Sequence, residues 1–143
     1  MDANRNPTLV IAGAGSLAAS LLHLACIAGG PEWYRFFGAG EQMARMAARG
    51  HWYPTVLTLG IAAILGAWAL YAWSGAGLIP RLPLLRPGLC VITGVYLLRA
   101  LAFVPLQPYF PGNSAAFWYL SSGVCLVIGL LHAVGLRQAW SRL

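Results

Sequence analysis

Lysine is absent from this sequence and charge of either sign is scarce: nine arginines and three acids make up 8% of the 143 residues. A soluble domain needs about a quarter charged residues to cover its surface. The shortfall excludes an ordinary water-soluble domain and predicts lipid as the solvent. The net charge of +6 does not predict nucleic-acid binding, because the arginines stand singly at helix ends and in loops and form no basic face. Cysteine is also sparse. Cys26, Cys90 and Cys125 all fall inside apolar runs, and an odd number of cysteines at membrane depth is not a disulfide framework.

What the sequence has in abundance is apolar length. It is 59% hydrophobic with a mean hydropathy of +0.70. Four apolar runs, Thr8–Ala28, Pro54–Ser74, Gly88–Leu106 and Ser114–Leu136, predict an all-α membrane protein, a single domain over 1–143 made of a four-transmembrane-helix bundle. At a rise of 1.5 Å per residue, a run of about 20 residues spans the roughly 30 Å hydrocarbon core. The first run contains Leu22-His23-Leu24-Ala25-Cys26, which has the outline of a lipoprotein cleavage site. His23 stands where an aliphatic residue is wanted, the only base ahead of the run is Arg5, and the run is too long for a signal peptide, so an uncleaved helix is predicted.

Between the first two runs lies the most polar stretch, 32–50. An aromatic anchor, Trp33-Tyr34-Arg35-Phe36-Phe37, is followed by a Gly38-Ala39-Gly40 hinge and by Glu41–Arg49. In that last piece Glu41, Arg45 and Arg49 recur every turn, while Met43, Met46 and Ala47 lie on another face. This is the pattern of a short interfacial amphipathic helix. Leu78–Pro87, with three prolines, predicts a rigid non-helical link, and Asn113 is the expected cap of the fourth helix.

An even number of spans puts both termini on one side, with Arg5, Arg81, Arg86, Arg137 and Arg142. The other side holds Arg35, Arg45 and Arg49. Five against three predicts cytoplasmic termini. The arginine-only usage suggests a GC-rich bacterial genome, hence a bacterial inner (cytoplasmic) membrane. Helices in lipid pack through small residues. The expected faces are Gly15, Ala19 and His23; Gly60, Ala63 and Ala67; and Ser122, Cys125, Gly129 and His132.

Arg99 is the residue most expensive to place. At bilayer centre an arginine costs roughly 2.5–3.5 kcal/mol on insertion scales, so it is expected to face the bundle with a partner. Glu41 is the expected partner. One consequence is a structural ion pair pinning the first loop to the bundle; the other is a ligand site. His23, with Tyr34, His51, Ser121 and Ser122, is expected to complete one polar cavity opening outward. The competing reading is that His23 simply bonds a neighbouring helix.

No metal site is predicted. His23 and Cys26, and Met43 and Met46, are soft-ligand pairs that fall short of a coordination set. Bis-histidine haem is not expected, because His23 and His132 differ in depth by about 15 Å. No serine or cysteine has a base at helical spacing, so nucleophilic catalysis has no support. The size and helix number are those of small multidrug transporters, but these centre on a first-helix glutamate, and no acid lies from Thr8 to Ala28. The membrane-associated eicosanoid and glutathione enzymes carry a Glu–Arg–His–Asn cluster on their second helix, where this chain has no charge from Thr55 to Ser74.

The expected function is that of a binding or accessory module whose outward polar pocket holds a lipid headgroup, a small lipophile or a partner helix. The alternatives are a membrane enzyme acting on a lipophilic substrate, with Glu41 or His23 as proton carrier and Arg99 as clamp, and an oligomeric transporter or channel. Few polar residues are available to line a pore within one copy. The partners expected are the lipid bilayer, a lipid or small lipophilic ligand, and a homo-oligomer or partner membrane protein, and no cofactor is specified.

Overall fold

The computed structural model describes residues 5–143; Met1–Asn4, part of the stretch ahead of the first apolar run, lie outside the described residues. Those described form an all-α protein with no strand among them. Three helices, Pro7–Gly29, Trp52–Gly75 and the stretch Ala115–Arg142, are long and apolar enough to cross a membrane. A fourth span is present if Leu85–Leu101 and the piece Phe103–Tyr109, bent from it by 67°, count as one. This is the pattern of a multi-pass membrane protein. Large apolar side chains such as Leu21, Val91, Leu98 and Val127 stand exposed, as expected where lipid covers them.

Helix α1, Pro7–Gly29, starts at Asn6, whose Oδ1 accepts from Leu9 N at 3.0 Å, and Pro7 takes the first-turn position where an N–H is not missed. It ends at Gly30, whose φ of 71° is one that L side chains rarely adopt. The predicted interfacial stretch folds as α2, Pro31–Phe36, and α3, Glu41–Ala48. The hinge between them has positive φ at both Gly38 and Gly40. Ala44 is buried on α3 while Glu41 and Arg45 face out. Helix α4, Trp52–Gly75, is capped by His51, whose Nδ1 accepts from Tyr53 N at 3.2 Å.

Helix α5 runs from Leu85 to Leu101, which differs from the expected third helix at both ends. It begins inside the link, with Pro87 in its first turn, where proline is tolerated. It stops before 106 because Pro105 has no N–H for the Leu101 carbonyl and its ring crowds that group. The chain bends there into α6, Phe103–Leu106, and a 3₁₀ turn, Gln107–Tyr109. Helix α7, Ala115–Ala139, is capped by Ser114, whose Oγ accepts from Phe117 N at 3.1 Å. Asn113, the expected cap, instead donates from Nδ2 to Gly38 O at 3.0 Å, tying the α2–α3 hinge to the start of α7.

Helix α1 packs along α4 and also on α7; α5 packs along α7; α4 and α5 touch less. Ser20 Oγ donates to Ala62 O at 2.7 Å and Trp73 Nε1 to Val10 O at 3.2 Å across the α1–α4 contact. Leu9, Leu65, Leu89, Ile92, Tyr96 and Ile128 form the centre. One of the expected packing faces needs correction. On α4 the small face of Gly60, Ala63 and Ala67 is exposed, and the helix buries Thr58, Ala62, Leu65, Ala69 and Ala72 instead. That run is rich in small residues on both sides, so size alone does not select a face. On α1 the expected face packs in part: Gly15 faces Ile128 of α7 and Ala19 lies against the core, while Ala12, Ser16 and Ser20 take the deepest positions. On α7, Ser122, Gly129 and His132 are buried and Cys125 half-buried, as expected.

Candidate functional site

Arg99 lies in the last turn of α5, not mid-helix. A cation there meets the negative end of the helix dipole and the unpaired carbonyls of the final turn, which lowers the cost of placing it. Its side chain, half-buried, crosses to α7. Nη1 donates to Ser122 Oγ at 3.4 Å and Nη2 to Ser121 Oγ at 3.3 Å. The guanidinium carbon stands 5.6 Å from the Trp118 ring centroid, within cation–π range. Trp118 is buried and packs edge-on against Phe110 and Phe117. The seam is thus a cation on two hydroxyls and an aromatic face, at the end of the helices where the α2–α3 segment also lies.

Glu41 is not its partner. Arg35 grips both carboxylate oxygens of Glu41, Nε to Oε2 at 2.8 Å and Nη2 to Oε1 at 3.2 Å, and Arg45 Nε reaches Oε1 at 3.1 Å. Arg35 also binds Glu32 at 2.6 Å. The Arg35 hydrogen bonds first, then the one from Arg45, hold the Glu41 carboxyl down at about 2, and the contacts of Arg35 with Glu41 and Glu32 raise its guanidinium. This network staples α2 to α3 across the hinge. The sequence spacing already placed Arg45 one turn after Glu41; Arg35 competes better than Arg99 because it is six positions away on the adjoining short helix.

The single cavity expected from His23, Tyr34, His51 and Ser122 is divided. Ser122 belongs to the Arg99 seam. Tyr34 and His51 line a separate hollow of about 310 Å³ with Ile27, Trp52 and Thr55. Tyr34 is buried and its hydroxyl pairs with Thr58 Oγ1 at 3.2 Å, while exposed His51 stacks on Trp52. His23 turns back on its own helix, with Nδ1 2.7 Å from Ala19 O, and joins neither place. Among the described residues no three of His, Cys, Asp and Glu come together to hold a metal ion.

Sequence reasoning gave little weight to the middle of the molecule. His132 is fully buried, its Nδ1 2.9 Å from Ile128 O. A carbonyl only accepts, so Nδ1 carries the proton, and Nε2 has no hydrogen-bond partner among the described residues. The ring stacks on Tyr96 at 5.3 Å, and the Tyr96 hydroxyl pairs with Ser16 Oγ at 2.9 Å. A polar position spaced with Ser122 and Gly129 on one face of α7 was visible in the sequence; the pairing of Tyr96 with Ser16, 80 positions apart, was not. An apolar groove of about 450 Å³ runs between α4 and α5, walled by Ile64, Trp68, Tyr71, Leu84 and Val91. No protein-family model, curated protein or solved structure matches this sequence.

Proposed function

We propose that this chain is a four-span bundle of a bacterial inner membrane, with cytoplasmic termini, that serves as a small binding or accessory module. Its site is the Arg99–Ser121–Ser122–Trp118 seam, and its ligand is the headgroup of a lipid or small lipophile. The observation that carries this reading is a guanidinium set at the edge of an apolar helix pair with hydroxyls and an aromatic ring around it, while Glu32 and Glu41 are engaged by Arg35 and Arg45. Intramembrane charge without a carboxylate beside it is a functional-site hypothesis by default. The enzyme reading has less behind it, because the Glu41 carboxylate is engaged by Arg35 and Arg45 and does not join the Arg99 seam.

The test is native mass spectrometry of the protein released from mild detergent, with Arg99→Met alongside. A stoichiometric adduct of lipid or lipophile mass, lost in the variant, is the expected result. A folded wild-type protein that flies bare would overturn the reading and move function to the helix faces and a partner protein.

A further inference from the structure

We infer that the Arg99 seam selects lipids whose headgroup carries an oxyanion and no cation, a phosphodiester capped by a neutral alcohol in preference to a zwitterionic one; this rests on the reading of the seam as a headgroup site. The argument begins with donors and acceptors. A guanidinium offers five N–H donors and no acceptor. Arg99 spends two of them on serine hydroxyls at 3.3 and 3.4 Å, long for such bonds and far from the 2.7–2.9 Å of a charge-assisted pair. A hydroxyl that accepts from arginine still has its own proton to give. Ser121 already gives its proton to Trp118 O at 3.3 Å, so the Ser122 hydroxyl and the three other guanidinium N–H groups are the donors that remain. The site is therefore rich in donors, carries a full positive charge, and is matched by an oxyanion with two or more oxygens.

The same inventory disfavours a headgroup with an ammonium. Such a group would need a carboxylate or a free aromatic face. Glu32 and Glu41 are held by arginines on α2 and α3, and the Trp118 face is turned to Arg99 itself. An ammonium beside Arg99 meets only like charge. The source of the oxyanion is the bilayer and not water. The residues that adjoin the seam along α5 and α7, Leu98, Leu101 and Leu120, are 67%, 73% and 73% exposed, leaving lipid-facing surface along which acyl chains can lie.

The full-length protein is reconstituted into nanodiscs of equal parts phosphatidylglycerol and phosphatidylcholine, released, and its retained lipids counted by native mass spectrometry. Wild type is expected to retain phosphatidylglycerol with about tenfold preference, the equivalent of one good charge-assisted contact. Arg99→Met is expected to bring the preference close to that of the bulk lipid, and Ser122→Ala, the smaller change, to reduce it about threefold. Equal retention of both lipids by wild type, with loss of both in Arg99→Met, would overturn the selectivity and leave the headgroup site standing. Retention of neither would overturn both. A preference that survives in Arg99→Met would assign it to the other arginines of the chain and overturn the inference.

Discussion

Asn6 and Gly135, 129 positions apart in the chain, are joined by a 3.0 Å hydrogen bond from Asn6 Nδ2 to the Gly135 carbonyl. The same side chain caps α1 through Oδ1, and its backbone N–H donates to Ala76 O at 3.0 Å. One buried residue thus fastens the start of α1 to the end of α4 and to α7. Asn6→Ala removes the cap and the tether together. It is expected to cost about 1–3 kcal/mol, a cap plus one buried hydrogen bond to a carbonyl that keeps its own partner within α7. Asn6→Ser keeps a capping oxygen and loses the reach to Gly135, so it should fall between the two. Thermal unfolding in a single detergent compares them; equal stability of all three would show that the tether carries no weight.

Such a residue marks the limit of what the chain reveals before folding. Element identity was legible, because apolar run length, Gly–Pro stops and the glycine hinge act locally. Helix ends shifted where a single proline decided them, as at Pro105. Partners were less legible. Glu41–Arg45 is a one-turn spacing and was visible; Arg35 winning Glu41 from Arg99 depends on how α2 folds over α3. The α4 packing face was misjudged because alanine and glycine occupy both sides of that helix, and only the neighbours' shapes distinguish them.

The separation of Arg99 from Glu41 has a direct thermodynamic consequence. Residues without contact or a shared network act additively. Arg99→Met combined with Glu41→Gln should therefore show the sum of the single effects, whereas Arg35→Met with Glu41→Gln should be clearly non-additive. Arg99→Met with Ser122→Ala should also couple, by about 0.5–1.5 kcal/mol if the seam bond contributes as hydrogen bonds usually do. Coupling between Arg99 and Glu41 in chemical denaturation would contradict the ion-pair geometry.

The Glu41 carboxyl gives a pH signature. Its folded value, about 2, lies below the ordinary 4.5, so the network's contribution is fully present above the ordinary value and is lost as pH falls through about 2. The α2–α3 staple should hold at pH 4, where a free glutamate is already largely protonated. Carboxyl carbon shifts of Glu41 followed by NMR should titrate near 2 in wild type and move up toward 4.5 in Arg35→Met. A wild-type midpoint at the ordinary value would mean that the arginine grip does not persist in solution.

Glycines separate tight packing from open surface without touching charge. A Cβ at Gly135 would lie 2.6 Å from Leu9 Cγ and 3.1 Å from the Leu9 backbone nitrogen, and one at Gly129 would meet Leu97 at 2.9 Å and Tyr96 Cβ at 3.1 Å. Neither Leu9, fully buried at the centre, nor the backbone behind it has room to retreat. At Gly60 a Cβ would meet nothing within 4 Å. Gly135→Ala should therefore destabilise by about 1–3 kcal/mol, the usual cost of overpacking, with Gly129→Ala milder because the Leu97 side chain can swing. Gly60→Ala should be neutral or slightly stabilising, since alanine is the better helix former. Unfolding of the three variants in dilute detergent is the measurement. A large loss at Gly60 would reveal a second copy or partner helix seated against that exposed face of α4, and would make the small-residue stripe an interface after all.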